Sequence, residues 1–102
     1  GDRALGCELI AEYKKQLASL LRSAEKAVAE KNFDELRAIG HKIKGSSSAI
    51  SANALAGRGA RIDEDAKKCD IENVRKDFAA LKDELTVFEL NSDIWQNDRA
   101  ET

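Results

Sequence analysis

Apolar side chains recur at steps of three and four along nearly the whole chain, and no proline interrupts them. That spacing lays one apolar stripe along an α-helix, and a chain without Pro lacks the residue that most often breaks one. Leu9, Ile10, Tyr13, Leu17, Leu20, Leu21, Ala24 and Val28 make the first stripe, which predicts a helix from about Leu5 to Glu30. Asn32, with Glu35 three residues on, resembles a capping box and opens a second stripe through Phe33, Leu36, Ile39, Gly40, Ile43 and Ser47. The hydroxyls of Ser46, Ser47 and Ser48 compete for backbone hydrogen bonds, so this helix is expected to end near Ala49. Ser51 is placed as the cap of a third helix, whose inward set is Leu55, Gly59, Ile62, Ala66 and Cys69. Asp70 caps a fourth, in which Ile71, Val74, Phe78, Leu81, Leu85 and Phe88 alternate three and four until the pattern fades past Leu90. Aromatic residues make up only 5% of the chain, which counts against strands as the alternative.

Four helices joined by about two to four residues most simply form an all-α, antiparallel up-down-up-down four-helix bundle. It would occupy residues 5–90, leaving 91–102 as a polar tail in which only Ile94 and Trp95 are able to pack back on the bundle end. The heptad regularity of the fourth helix keeps a coiled-coil dimer as a competitor, but the short turns favour folding within one chain, so a monomer is expected. A chain of 102 residues holds one small core, which excludes a multidomain enzyme. A net charge of -2 argues against a nucleic-acid binder, and no apolar run approaches the roughly 20 residues that span a bilayer. A soluble, cytoplasmic protein without a membrane partner is the expectation. Cys7 and Cys69 would sit at opposite ends of such a bundle as reduced thiols, too far apart for a disulfide, and with the single His41 they give no zinc spacing. The chain opens on Gly1-Asp2 without Met, as a domain cut from a larger parent would.

One position carries chemistry. With Leu36 as the centre of the buried stripe, His41 falls about 140° away at 100° per residue and therefore faces water. Its flank holds Arg37 one turn before, Lys44 three residues after and Ser48 seven after. Gly45 stands four residues after, on the adjoining turn. A mid-helix Gly costs about 1 kcal/mol relative to Ala, so this one calls for a reason. Without a Cβ there, a bulky group is able to approach the imidazole, and Lys44 is able to meet an anion on the ring as a point charge. No carboxylate is expected nearby to repel that anion or to hold a metal.

The run His41-Lys42-Ile43-Lys44-Gly45-Ser46-Ser47, with Ala38 before it and Leu55 and the Ala-rich third helix after, resembles the histidine-containing phosphotransfer domains of bacterial and plant-type phosphorelays. Their motif is His-x-x-Lys-Gly with small residues following, on the second of four bundled helices. The resemblance covers roughly Leu5 to Leu90. Ser51 stands where many members have Gly, and Ile62-Asp63 where Leu-Glu is common. The resemblance implies that His41 takes a phosphoryl group on a ring nitrogen from a receiver-domain aspartate and passes it to another receiver. A hybrid sensor histidine kinase is a further candidate partner. It also implies that Mg²⁺ belongs to the receiver, so that this chain needs no cofactor of its own. With no P-loop, the chain is not expected to phosphorylate itself from ATP or to act as an enzyme.

The remaining features read as structural. Gly57-Arg58-Gly59 begins like a dinucleotide fingerprint, but no strand precedes it and Ile62 stands where the third Gly belongs. Ala60 and Arg61 are expected about level with His41 on the third helix, where Arg61 would be able to assist a phosphate. Asp63-Glu64-Asp65 reads as a solvated face, and Ala18 with Leu21 either as an apolar patch for a partner or, Leu21 above all, as plain core. A helical adaptor without chemistry at His41 is the rival function. A carboxylate metal bundle is excluded because its paired Glu-x-x-His units need more than one His.

Overall fold

The computed structural model describes residues 2–101, with side chains from Leu9 to Phe88. Four helices follow one another: α1 (Asp2–Glu30), α2 (Phe33–Ala49), α3 (Asn53–Lys67) and α4 (Ile71–Glu101). Each packs on its neighbours in sequence, α1 also touches α4, and the closest association is between α2 and α3. This is the antiparallel up-down-up-down four-helix bundle that the apolar stripes predict. Helix α4 continues as helix to Glu101, past Leu90 where its apolar pattern fades. The expected packing of Ile94 and Trp95 falls on side chains outside those described, as does Cys7.

The core follows the stripes. Leu17, Leu36, Ile39, Ile43, Leu55, Ile62, Val74 and Leu81 are fully buried, each contributing about 1.5–3 kcal/mol through removal of its side chain from water. Ser47 is buried among them because its hydroxyl and that of Tyr13 lie 2.6 Å apart, which gives both polar groups a partner across α1 and α2. The Tyr13 ring meets Phe88 of α4 edge to face, with centroids 5.5 Å apart.

Helices α2 and α3 meet backbone to backbone at two glycines. A Cβ on Gly59 would stand 2.6 Å from the Lys44 amide nitrogen and 2.8 Å from the Gly40 carbonyl oxygen. One on Gly40 would stand 2.7 Å from the Asp63 nitrogen and 2.8 Å from the Gly59 carbonyl oxygen. Only hydrogen fits at either position. Of the Gly57-Arg58-Gly59 run, Gly59 thus serves helix packing.

All three turns use one device. Lys31, Ser51 and Cys69 follow the ends of α1, α2 and α3 with φ of 52°, 60° and 55°. Each donates its N–H to the carbonyl three residues back, and the next residue donates to the carbonyl five back: Asn32 to Ala27, Ala52 to Ser47, Asp70 to Asp65. These paired bonds are the Schellman closure, which satisfies carbonyls at a helix end and here holds non-glycine residues in the left-handed region. Two expectations are corrected by it. Ser51 lies in the turn that closes α2, while the N-cap of α3 is Ala52 without a side-chain bond. Cys69 is exposed at a turn as a free thiol and leaves the core stripe to Ala66. The other two caps are as expected: Asn32 Oδ1 accepts from the Glu35 amide at 3.2 Å, and Asp70 Oδ1 from the Asn73 amide at 3.2 Å.

Asp77 of α4 is the one buried charged residue among those described, 6% exposed. Its Oδ1 lies 3.8 Å from Arg61 Nε, while Oδ2 has no hydrogen-bond partner. Burial first, and then the neighbouring Asp65 carboxyl, push its pKa up to about 7 against the opposing pull of Arg61 and Arg58. Between about pH 4 and 7 the folded chain holds this proton and the unfolded chain releases it, so stability falls as pH rises through that window and levels off above it. Asp77→Asn should flatten this dependence and raise stability at pH 8 by about 1 kcal/mol or more, measured by urea unfolding across pH. Gly59→Ala should cost about 2 kcal/mol despite its better helix propensity, whereas Gly57→Ala, whose Cβ would meet nothing within 4 Å, should cost nothing.

Candidate functional site

His41 is the ninth residue of α2 and is exposed, directly after the buried Gly40. The glycine crossing holds α3 against one side of α2 and leaves the imidazole on the outer flank. A hollow of about 370 Å³ opens beside it, lined by Asp34, Arg37, Ala38, His41, Lys42 and Asp63. Arg37 Nε lies 3.4 Å from Asp63 Oδ1, which ties the hollow's α2 wall to α3.

Lys44, Gly45 and Ser48 are exposed on α2 with His41, as their spacing predicts. None of the three lines the hollow, which extends toward the start of α2 rather than toward its end. A Cβ on Gly45 would meet nothing within 4 Å. No close packing within the chain therefore requires a glycine there, in contrast to Gly40 and Gly59. Ser46, by comparison, turns its hydroxyl back to the Lys42 carbonyl at 2.8 Å.

Several expectations are revised at this site. Arg61 does not turn toward His41; it reaches Asp77 on α4, and Asp63 is the α3 residue that lines the hollow. Asp63 is therefore more than a solvated face, and the surroundings of His41 contain two carboxylates, Asp34 and Asp63, where none was expected. Lys42 joins the cations. The signal for Asp63 was present in the spacing: it stands four residues after Gly59, so the helix face that meets Gly40 also carries Asp63. Ala18 is exposed, but the half-buried Leu21 lines a different, largely apolar hollow between α1 and α4, with Ala24, Phe78 and Ala79. That hollow shares no residue with the one at His41.

The arrangement is an exposed imidazole on α2 whose hollow is lined by the cations Arg37 and Lys42 and the carboxylates Asp34 and Asp63, with Lys44 exposed three residues along the helix. Among the described residues no group of three or more His, Cys, Asp or Glu is placed to hold a metal, and no helix is long and apolar enough to cross a membrane. The chain belongs to the Hpt domain family, whose model matches residues 8–89. It is thereby a histidine phosphotransfer domain of two-component phosphorelay signalling, a class of modules without kinase activity that works with receiver domains and kinases. No curated protein and no solved structure matches the chain.

Gly45→Ala should raise stability by up to about 1 kcal/mol in thermal or urea unfolding, because the methyl group gains helix propensity and strikes nothing.

Proposed function

We propose that His41 is the phosphoryl-carrying residue, accepting the group from an aspartyl phosphate on one receiver domain and passing it to the aspartate of another. The observation that carries this reading is the exposed ring of His41 on a helix whose next turn is left open by Gly45. In the forward step the lone pair of a neutral ring nitrogen, Nε2 in our reading, attacks phosphorus. The N–P bond forms as the acyl-phosphate P–O bond breaks, and the aspartate leaves as a carboxylate with the electron pair. Passing the group on is the same step in reverse. Such a transfer asks for positioning and charge neutralisation more than for further covalent chemistry. Mg²⁺ in this scheme is held by the receiver.

Lys44 supplies a mobile point charge to the phosphoryl oxygens from three residues along the helix. Gly45 gives the receiver's active-site loops room over the ring. Ser48, one turn beyond Lys44, marks the far end of the exposed strip and offers a hydroxyl to the incoming domain. The domain acts in the cytoplasm as a monomer, with receiver domains and a hybrid sensor kinase as partners.

Incubation with receiver domains charged by a small phosphodonor in Mg²⁺, followed by mapping at neutral pH, should place an acid-labile phosphate on His41. His41→Gln should abolish uptake without loss of stability, since the side chain lies outside the core. Lys44→Ala should slow transfer about 10-fold or more, the scale of one charge-assisted contact. Receiver binding without label would favour an adaptor instead.

A further inference from the structure

The hollow beside His41 contains an ion pair that the transfer step leaves unused. Arg37 lies one turn before His41 on the same flank of α2, and its partner Asp63 comes from α3. The contact is single and long, Arg37 Nε to Asp63 Oδ1 at 3.4 Å, with the two side chains 48% and 36% exposed. An ion pair of that length and exposure is weak and exchanges its partner easily. A phosphoryl group on the imidazole would bring three acceptor oxygens and close to two negative charges into the same hollow. A guanidinium takes two such oxygens at once through its planar fork, a stronger arrangement than one stretched contact to a carboxylate. Asp63 and Asp34, lining the same walls, would repel the group if nothing offset them.

Resting on the reading that His41 carries the phosphoryl group, we propose that Arg37 is a phosphoryl-binding residue held in reserve by Asp63, and that it exchanges the carboxylate for the phosphoryl oxygens once His41 is modified. The exchange makes and breaks no covalent bond. Before transfer, Asp63 keeps the guanidinium beside the ring and pre-positioned. After transfer, Arg37 offsets the two carboxylates and works from the side of the ring opposite Lys44 along the helix. The two members of the pair therefore oppose each other: removing Arg37 weakens the hold on the phosphoryl dianion, and removing the Asp63 charge strengthens it. A purely structural tie between α2 and α3 would make both substitutions act in one direction.

The test uses the full chain, phosphorylated with phosphoramidate so that no receiver contributes to the result, and follows the phosphohistidine resonance by ³¹P NMR as pH is varied. The charged groups facing the phosphoryl group are Asp34, Arg37 and Lys42 of α2 and Asp63 of α3, with Lys44 three residues along. Arg37→Ala should raise the second phosphoryl ionisation by roughly half to one pH unit, the size expected for one partly screened charge at contact distance. Asp63→Asn should move it the other way, and Arg37→Lys should restore part of the shift. An Arg37→Ala titration that superimposes on the wild type, or Asp63→Asn and Arg37→Ala shifting in the same direction, would overturn the proposal while leaving the carrier role of His41 intact. A wild-type chain that takes no label from phosphoramidate or from a charged receiver would overturn both.

Discussion

Everything around the candidate site depends on two hydrogens. At Gly40 and Gly59 the backbones of α2 and α3 approach so closely that any Cβ would strike a main-chain atom under 3 Å away. Close approach fixes both the separation and the rotation of the two helices. Ile39 and Ile43 are thereby turned into the core beside Ile62, and the residue that follows Gly40 is left on the outer flank. That residue is His41. Gly40 costs helix propensity, as does Gly59, but without them α3 would stand further off and Asp63 would not share a hollow with His41.

The polar interior reinforces this placement from the other sides. Tyr13 and Ser47 tie α1 to the last turn of α2, and the Ser47 carbonyl accepts from Ala52 in the turn that launches α3. Asp77 ties α4 to Arg61 of α3 at the expense of burying a carboxyl whose second oxygen has no partner. A buried, incompletely satisfied acid is destabilising when charged, so this contact sets direction more than strength. It also takes Arg61 away from His41, which leaves the cationic border of the site to α2.

Gly45 contrasts with the two packed glycines. It stands in the interior of α2, where glycine is unfavourable, and the space its Cβ would fill is open. Gly40 and Gly59 serve the fold, whereas no packing among the described residues uses the missing Cβ of Gly45. The same distinction separates the cations. Arg37 is engaged within the chain by Asp63, whereas Lys44 is exposed beside Gly45 on α2.

The local content of the sequence was enough for the number of helices, their apolar faces, the caps at Asn32 and Asp70, and the outward direction of His41, because a 3.6-residue period relates each residue to the core through its own helix alone. It was not enough for the turns: Ser51 and Cys69 lie in left-handed backbone because a Schellman closure satisfies the preceding helix end, and that competes with cap and core roles which look equally good in sequence. Nor could it settle which α3 residue shares the hollow with His41. Counting from the turns put Ala60 and Arg61 about level with it, as the contact of Gly40 with Gly59 also does, but the α3 residue that lines the hollow is Asp63. Periodicity within a helix determined what faces out. Only the close packing of two helices decided what those outward residues face.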